Sequence, residues 1–519
     1  MKEGTAKKAK KGLFHVVFSR TAIIFMLLIV QVLIFIGIIQ MMEDYKTQIY
    51  VLFIVISVIV VIKIINSNDN PAFKMAWIIP IMVLPIVGAA FYIYVKLQVG
   101  TKYMGRRLRI LGEETKPYME QDADVVERLK MSKPANANLS YYMFHQVGFP
   151  TYRNTSVKYF PLGEDKFKEL VRQLEMAEQY IFMEYFIVEE GRMWNTILSI
   201  LEKKVRQGVE VRFMYDGMCS IAMLPYNYPK TLRKLGIQCK QFNSVKPILS
   251  TEQNNRDHRK ICVIDGRVAF TGGVNLADEY INEKERFGHW KDTAVMVEGE
   301  AVQSFTMLFL QMWNIDVRAH ENYESYLTPK SSEIRKDLGY VLPYGDSPYD
   351  NENIGEQVYF HILNHAKKYV HIMTPYLILD NEMVTNLTYA AKSGIEVIII
   401  MPHIPDKWYA FALAKTYYKE LILSGVQIYE YTPGFVHAKV FVSDDDTATV
   451  GTINLDFRSL YLHFECGTFI YNNPVVSEVE KDFQATLKKC QKVTMDEVRR
   501  RSIFQKIVGN VLRIFAPLM

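Results

Sequence analysis

The chain has 519 residues, of which 49% are hydrophobic and 23% are charged, and its formal net charge is +5. This length is ample for a large core or two fused domains, and the modest basic excess suits an anionic partner without separating nucleic acid from anionic lipid. The five cysteines are odd in number and lack motif spacing, which argues against a disulfide framework and favours a reducing compartment or unpaired core thiols.

Residues 1–95 are predicted to form a membrane anchor with three transmembrane helices. A basic segment, 1–20, precedes the apolar run 21–42, which is about long enough to span a bilayer. That length, and the lack of a small-residue cleavage site after the run, argue against a signal peptide. Two further apolar runs follow, 50–65 with Lys63 near its end and 76–95 with Pro80 and Pro85 inside it.

The charges around these runs predict a multi-pass protein of the cell membrane but favour opposite orientations. The basic N-terminus is expected to stay in the cytoplasm, and three spans then place the rest of the chain outside. A basic cluster directly after the third run favours the inside instead. Both arrangements leave the rest of the chain next to a membrane. The cluster comprises Lys96, Lys102, Arg106, Arg107 and Arg109.

Residues 96–155 are predicted to be a helical connector without recognisable chemistry, and from residue 156 the chain repeats itself. A helical pattern followed by a β-rich run occurs at 167–186 and again at 356–376. The alternation predicts βαβ units, and therefore an α/β fold with a mixed sheet flanked by helices in each half. The halves are placed at 156–330 and 331–495, with a boundary rich in Ser, Pro, Gly and Asp near 325–355.

Each half contains one copy of the pattern H-x-K-x4-D-x6-G-[GT]-x-N. One H-x-K-x4-D arises by chance in a chain this long at roughly a few per cent. Two copies with matching Gly and Asn tails are not plausibly an accident. The first copy contains His258, Lys260, Asp265 and Asn275, and the second contains His437, Lys439, Asp444 and Asn454.

These residue types suit substitution at a phosphodiester. Lys260 and Lys439 supply positive charge, and the two asparagines supply neutral amide donors, for oxygens whose charge grows in the transition state. Histidine is a competent nucleophile toward phosphorus and also a general acid with a pKa near neutrality. Since His and Lys two apart on a strand share a face, two such strands side by side would surround one phosphate.

The doublet resembles the phospholipase D superfamily, and the membrane-anchored layout is similar to that of the bacterial cardiolipin synthases. The resemblance implies that the two halves form a pseudo-dimer around one site, with the His, Lys and Asp of both motifs in the catalytic set and Asn275 and Asn454 binding phosphate. Family precedent also implies that His258 is the nucleophile and His437 the general acid.

Further acidic residues follow the motifs. The resemblance suggests that Asp292 and Glu465 orient the imidazoles, and we assign Asp292 to His258 and Glu465 to His437, each within its own half. Glu184 and Tyr185 are weaker candidates at a predicted strand end. Asp265 and Asp444 lie seven residues from their histidines, an odd offset that points to the other face and predicts a structural role.

No metal and no cofactor are predicted for this site. A lysine beside each histidine repels a cation, there is no Cys-pair spacing, and no carboxylate cluster surrounds the histidines. A lone buried histidine is usually a satisfied core residue, but two matched motifs make that interpretation a poor one.

The resemblance implies a transferase that moves a phosphatidyl group between two phosphatidylglycerol molecules through a phosphohistidine, giving cardiolipin and glycerol. The alternative is a membrane phospholipase D, in which water replaces the acceptor and phosphatidic acid forms. Three apolar runs disfavour a nuclease, so the expected partners are phosphatidylglycerol and anionic membrane lipid, not nucleic acid. Intact motifs disfavour a scaffold.

Residues 496–519 are predicted to form an amphipathic C-terminal helix. Apolar side chains recur at helical spacing with basic residues among them, as Ile503, Ile507, Val511 and Arg513 illustrate. The pattern fits either a helix packed on the core or one that lies on anionic lipid.

Overall fold

The computed structural model describes residues 33, 37, 46–96, 99–219, 223–225, 227–244, 251–317, 321–328, 338–350 and 352–518. The first predicted span, 21–42, therefore lies almost wholly outside the described residues. Within the described part of the chain, no helix has both the length and the apolar character needed to cross a membrane. The N-terminal helices are α1 (Lys46–Ile65), α2 (Pro71–Val83) and α3 (Pro85–Lys96).

The run 76–95, predicted as one of the three transmembrane helices, is not a single continuous helix, so that prediction is wrong. The chain leaves helical geometry at Leu84, where φ is −132°, and Pro85 starts the separate helix α3. The two helices fold back on each other so closely that a Cβ on Gly88 would lie 2.7 Å from Ile81 Cα. Proline at the second helix start removes an N–H that would lack a partner there, so the break costs little. α2 and α3 form a hairpin against α1.

The hairpin is attached to the second half of the chain. Asn70 caps α2 by accepting from Ala72 N–H, and its side-chain amide donates to Asp380 and to the Tyr461 hydroxyl. Phe73 packs edge-to-face on Phe457 with ring centroids 5.7 Å apart. The segment that follows contains three helices, α4 (Val99–Thr115), α5 (Ala123–Ser132) and α6 (Pro134–Val147).

The first half contains a seven-stranded mixed sheet in the order β1-β8-β6-β5-β2-β3-β4. Strands β2, β3 and β4 are parallel, while β5, β6, β8 and β1 join them antiparallel. The strands are β1 (Thr155–Phe160), β2 (Tyr180–Tyr185), β3 (Glu210–Asp216), β4 (Gln238–Phe242), β5 (Lys260–Ile264), β6 (Val268–Gly272), β7 (His289–Lys291) and β8 (Ala294–Gly299). The helices are α7 (Gly163–Glu175), α8 (Arg192–Arg206), α9 (Tyr228–Lys234) and α10 (Val302–Trp313).

The second half repeats this topology in the order β17-β12-β11-β10-β14-β15-β16-β9, with one additional edge strand, β17. Its strands are β9 (Tyr340–Asp346), β10 (Tyr369–Met373), β11 (Glu396–Pro402), β12 (Gln427–Tyr431), β13 (Gly434–Val436), β14 (Val440–Ser443), β15 (Thr447–Gly451), β16 (Glu465–Tyr471) and β17 (Cys490–Lys492). Its helices are α11 (Ile354–His365), α12 (Asn381–Lys392), α13 (Trp408–Leu423), α14 (Phe457–Tyr461) and α15 (Val475–Leu487).

The predicted α/β fold with two repeated mixed sheets flanked by helices is confirmed. The repeats share a core rather than lying apart: side chains of β5 and β6 belong to the same buried cluster as those of β9 and β16. Helix α10 lies in this cluster and is almost completely buried, which explains its uniformly apolar sequence. Both motif strands, β5 and β14, thus contribute side chains to one buried core.

The C-terminus forms α16 (Met495–Arg500) and α17 (Ile503–Ile514). Helix α17 packs on α13 through its small residue, since a Cβ on Gly509 would lie 2.7 Å from Thr416 Cγ2. Its large apolar side chains face the other way and are exposed. They are Ile503, Phe504, Ile507, Val511, Ile514 and Phe515.

Candidate active site

Each motif histidine lies just outside its own sheet, on a segment that crosses to the other half. His258 precedes β5, and its N–H donates to the carbonyl of Phe464 at 2.9 Å, while Phe464 N–H donates to the Arg256 carbonyl. In the second copy, His437 N–H donates to the Lys291 carbonyl at 2.7 Å, where β13 runs parallel to β7. These backbone bridges, not pairing of β5 with β14, bring the two motifs together.

The bridges determine which carboxylate each histidine contacts. His258 Nδ1 lies 2.8 and 3.0 Å from the two oxygens of Glu465, and His437 Nδ1 lies 2.7 Å from Asp292 Oδ2. Our assignment of each carboxylate to the histidine of its own half is therefore wrong. The backbone of Phe464 is bonded to that of His258, so the next residue, Glu465, reaches the His258 ring. In the same way, the backbone of Lys291 is bonded to that of His437, so Asp292 reaches the His437 ring.

Both carboxylates are fully buried and differ in their other contacts. Glu465 also accepts from the Thr452 hydroxyl, whereas Asp292 accepts from Thr293 N–H at 2.8 Å. A carboxylate on Nδ1 fixes the tautomer of the ring and leaves Nε2 for chemistry. Both imidazoles therefore have the arrangement expected of a nucleophile or a general acid.

The motif lysines are buried beside the histidines. Lys260 Nζ donates to the His258 carbonyl at 2.5 Å, and Lys439 Nζ donates to the His437 carbonyl. Burial lowers the pKa of Lys260 to about 8 and that of Lys439 to about 7, while Glu465 and Asp292 act to raise both. Each lysine charge therefore interacts with a carboxylate from each half of the chain. An anion that enters the cavity would favour the charged form of both lysines.

Burial also sets the protonation of the imidazole pairs. It lowers the pKa of His258 well below the usual range, and the neighbouring Lys260 and His463 lower it further. It lowers the pKa of His437 to about 4, with Lys439 adding to the effect and Asp292 opposing it. Burial raises the pKa of Glu465 to about 8. Without an anionic ligand, the histidines are neutral.

The motif asparagines reach the same cavity with different freedom. Asn275 accepts from Ile187 N–H and donates to the Tyr280 hydroxyl, so its amide is anchored. Asn454 donates to the Ser459 hydroxyl at 3.0 Å, and its Oδ1 has no hydrogen-bond partner among the described residues. Both side chains line the cavity that holds His258 and His437.

The motif aspartates lie at the far ends of the strands, away from the imidazoles. Asp265 accepts from the N–H groups of Glu178, Gln179 and Tyr180, at 2.8–2.9 Å. Asp444 makes the same three bonds to 367–369 in the second repeat. Each side chain thus ties the turn after its motif strand to the start of the neighbouring strand.

The two weaker candidates do not line the cavity. Glu184 is buried against Arg259, whose Nη2 lies 2.6 Å from Glu184 Oε1, and Arg259 also contacts Asp257. Tyr185 accepts a hydrogen bond from Lys166. Since Arg259 directly follows His258, this buried ion pair fixes the segment that carries His258.

The cavity has a volume of about 400 Å³ and contains residues that sequence reasoning missed. His463 lies beside His258, with ring centroids 5.6 Å apart, and lines the cavity together with Arg458 and Lys407. Its spacing two residues before Glu465 was the available signal. No pattern in the sequence linked Arg458 or Lys407 to the motifs, because the fold brings them together from separate segments.

One group of side chains near the site has metal-ligand types. Atoms of His258, His463 and Glu465 lie within 4.8 Å of one another. Glu465 already contacts the Nδ1 of His258, and the positive charge of Lys260 lowers the pKa of all three groups. The donor set fits a cation poorly because a buried ammonium competes for the same space.

The fold and the paired histidine–lysine motifs define a phospholipase D-like protein. The sequence model described as "Cardiolipin synthase, PLD-like domain" matches residues 170–313 and 359–487, and that described as "Phospholipase_D-nuclease N-terminal" matches 52–96. The chain therefore belongs to the cardiolipin synthase family, as the motifs predicted, and is a phosphatidyltransferase.

Individual proteins and one solved structure are also similar to this chain. A protein of Streptococcus mutans without an assigned function is 51% identical, covering 88% of this chain and 99% of that protein. A cardiolipin synthase of Halalkalibacterium halodurans is 32% identical, covering 90% of this chain and 93% of that enzyme. The crystal structure of phosphatidylserine synthase from Haemophilus influenzae matches with a TM-score of 0.56 at 15% identity, covering 74% and 97% of the two chains, and supports the fold alone.

Proposed function

We propose that the chain transfers a phosphatidyl group from one phosphatidylglycerol to a second, giving cardiolipin and glycerol. One observation carries the proposal: two neutral histidines, each on a carboxylate of the opposite half, share one cavity with two asparagines, beside two buried lysines. Such a site can form a covalent phosphohistidine and protonate a leaving alkoxide without further groups.

In the first step, His258 Nε2 attacks phosphorus as the P–O bond to the glycerol headgroup breaks. The glycerol oxygen takes a proton from His437, so glycerol leaves neutral. The Lys260 and Lys439 ammonium groups lie against the non-bridging oxygens, whose charge grows in the transition state. Asn275 and Asn454, which line the cavity, supply neutral amide N–H donors for the same oxygens.

In the second step, the hydroxyl of a second phosphatidylglycerol attacks phosphorus. A new P–O bond forms, the bond to His258 breaks, and the hydroxyl proton returns to His437. The enzyme is thereby restored, and the product contains two phosphodiesters joined by one glycerol. If water attacks instead, phosphatidic acid forms, so transfer requires that the acceptor outcompete water in the cavity.

The different roles proposed for the two histidines, nucleophile and general acid, follow from their surroundings. A nucleophile must be neutral when it attacks. The pKa of His258 is lowered well below its usual value, mainly by burial and then by the Lys260 charge. A general acid must be protonated when substrate is bound, and the Asp292 charge opposes the lowering of the His437 pKa. The anionic phosphodiester favours the same protonation. We therefore assign His258 as nucleophile and His437 as acid.

The reaction is proposed to occur at the cell membrane, with segment 1–95 as a multi-pass integral anchor. Many α1 side chains are large, apolar and exposed, including Val51, Ile59 and Ile62. Met82, Val83 and Leu84, at the tip of the α2–α3 hairpin, are more than half exposed. Exposed apolar surface of this extent needs a non-aqueous partner, and a lipid bilayer supplies one.

No metal ion takes part in the proposed reaction. Lys260 and Lys439, both buried, supply the charge that a divalent cation would otherwise supply. We expect the purified enzyme to retain its activity after exhaustive chelation, measured in detergent micelles so that cations cannot alter lipid packing. Loss of activity that Mg²⁺ or Ca²⁺ restores under those conditions would contradict this.

The deciding experiment is incubation of the purified enzyme with phosphatidylglycerol alone, scored for cardiolipin against phosphatidic acid. We expect cardiolipin to dominate. His258→Ala and His437→Ala should each abolish product, since nucleophile and acid are both required. Phosphatidic acid as the main product would reject the transferase assignment, and near-normal activity in either variant would reject the shared site. Label from a phosphatidyl donor should map to His258.

A further inference from the structure

The proposed transfer differs from hydrolysis in a way that bears on the cavity. Its acceptor, phosphatidylglycerol, carries a phosphodiester of its own, so at the product stage the enzyme holds two anionic phosphates separated by one three-carbon glycerol. Two like charges in a partly buried cavity repel strongly unless each has a cation. Lys260 and Lys439 serve the reacting phosphate, which leaves the second phosphate to be accounted for.

Two cationic side chains at the mouth of the cavity are positioned for this. Arg458 is in the first turn of the short helix α14, and its carbonyl accepts from His463 N–H, so the two residues form one compact loop. Lys407 precedes α13, and its ammonium lies 3.2 Å from the Tyr376 hydroxyl and 5.0 Å from the centre of that ring. Both line the cavity and both are exposed.

The acidic groups nearby have hydrogen-bond donors of their own. Asp406 accepts from the Tyr376 hydroxyl at 2.6 Å and lies 3.9 Å from Lys407 Nζ. Asp456 accepts from Ser459 N–H, and burial raises the pKa of its carboxyl while the Lys407 and Arg458 charges oppose the rise. A third cation, Arg286, lies on the cavity wall but donates to Glu279 at 2.8 Å.

His463 connects this mouth to the reacting centre. Its side chain is nine-tenths buried, and neither ring nitrogen has a hydrogen-bond partner in the described part of the chain. Its ring centroid lies 5.6 Å from that of His258, and its N–H donates to the Arg458 carbonyl. Burial lowers the pKa of His463, and the Arg458 and Lys260 charges lower it further. His463 therefore adjoins both the reacting histidine and the loop that carries Arg458. Its unpaired nitrogens suit a hydroxyl of the connecting glycerol.

We propose that Arg458 and Lys407 form a second phosphate subsite that binds the phosphodiester of the acceptor lipid. The inference rests on the proposed transferase function and specifies how the acceptor is selected. Arginine and lysine at this mouth make the cavity prefer an anionic glycerophospholipid over a neutral alcohol or water. The acceptor hydroxyl is thereby held toward His258 while its phosphate stays near the rim.

The test compares an anionic with a neutral acceptor in the same enzyme. Arg458→Gln, Lys407→Gln and the double variant are incubated with phosphatidylglycerol in the presence of ethanol, and cardiolipin and phosphatidylethanol are both quantified. We expect the double variant to lose cardiolipin formation roughly tenfold or more, as expected from losing charge-assisted hydrogen bonds, while phosphatidylethanol changes by no more than about twofold. Thermal melts check that the variants fold.

The control is Arg286→Gln, which removes a cation from the same cavity wall that is held by a hydrogen bond to the buried Glu279. It should leave the ratio of the two products unchanged. Parallel loss of both products in the Arg458 and Lys407 variants would overturn the subsite, because the side chains would then serve the reacting centre or the fold. An unchanged ratio would overturn it as well. If the wild type forms phosphatidylethanol but no cardiolipin, the transferase proposal itself fails.

Discussion

At the scale of single residues, the crossed pairing of histidine and carboxylate is the feature that makes one site out of two motifs. His258 contacts Glu465 and His437 contacts Asp292, and each pair joins residues of opposite halves. A half on its own would carry a histidine with no carboxylate and a buried carboxylate with no histidine. Since an unpaired buried charge is costly, the two halves stabilise each other through the same contacts that prepare the chemistry.

Double-mutant cycles test this pairing. We expect the stability effects of His258→Ala and Glu465→Ala to be coupled by roughly 1–3 kcal/mol, because removing either partner abolishes the same buried hydrogen bond. The same should hold for His437 with Asp292. The two within-half combinations provide the control and should couple less. Chemical denaturation of the four double variants measures all of these energies, and stronger coupling within a half would contradict the structure.

The ionisation of Glu465 predicts a pH dependence of stability. Burial raises the pKa of this carboxyl from 4.5 to about 8, so folding favours its protonated form. The associated stability is fully present below the unfolded pKa and is lost as the pH rises through the folded one, by up to about 1.4 kcal/mol per pH unit. Glu465→Gln cannot ionise and should not show this loss.

Melting temperatures of wild type and Glu465→Gln between pH 5 and 9 measure the effect. We expect the difference to move in favour of the variant as the pH rises. Glu175→Gln, at an exposed position at the end of α7, serves as the matched control and should run parallel to wild type. A constant offset between Glu465→Gln and wild type across the range would show that the carboxyl ionises normally in the folded protein.

Sequence reasoning pointed to the histidines, the lysines and the two carboxylates that contact the imidazoles, but not to which carboxylate contacts which histidine. Residue types and spacing were enough to predict a phosphodiester-binding site, since two matched motifs of this kind rarely arise by chance. The pairing depends on where the chain crosses between sheets, as the backbone bonds of His258 to Phe464 and of His437 to Lys291 show. Local pattern contains no information about such crossings. His463 was missed because it belongs to no repeated motif.

At the scale of elements, the N-terminal hairpin and the C-terminal helix form one surface. A groove of about 480 Å³ runs between them, lined by Met75 and Ile79 of α2 and by Arg513 and Ile514 of α17. Leu379 and Phe457 also line this groove. The residues next to them in the sequence, Ile378 and Arg458, line the active-site cavity. The apolar surface and the cavity mouth are thus adjacent, which suits a lipid substrate.

Of the two interpretations of the C-terminal sequence, packing on the core is seen in α17, and contact with anionic lipid stays a prediction. The helix packs on α13 through Gly509 while presenting its large apolar side chains outward. We therefore expect Ile507 to lie in lipid when the protein is reconstituted. A spin label at Ile507→Cys, in a Cys490→Ser background, should be more accessible to oxygen than to a water-soluble nickel complex.

Lys506→Cys provides the comparison, because it is the preceding residue on the same helix and is exposed on its polar flank. Its label should show the reverse preference, for the nickel complex. Equal accessibility at the two positions would mean that this helix stays in water. The same labels in detergent-free protein bound to a neutral bilayer would then show whether anionic lipid is required.

At the scale of the whole molecule, the duplication predicted from the sequence determined most of the fold. Recurring helix–strand patterns gave the two sheets and their flanking helices, because βαβ units have few alternatives. The hairpin of α2 and α3 was not predicted, since the apolar run 76–95 looks continuous and proline inside a helix often only kinks it. In the structure the chain reverses at Leu84, and Gly88 packs directly against Ile81.

The two halves form a complete site within one chain, and this leads to a prediction about mixtures. His258→Ala leaves the half that carries His437 intact, and His437→Ala leaves the other. Because the halves share a buried core that includes Val263, Leu342 and Phe469, they cannot exchange between folded molecules without unfolding. Purified His258→Ala and His437→Ala proteins mixed in detergent should therefore remain inactive toward phosphatidylglycerol.

The control is a mixture that was denatured and refolded together, in which exchanged halves can pair and restore part of the activity. Recovery in the simple mixture would mean that the working site is built between two chains.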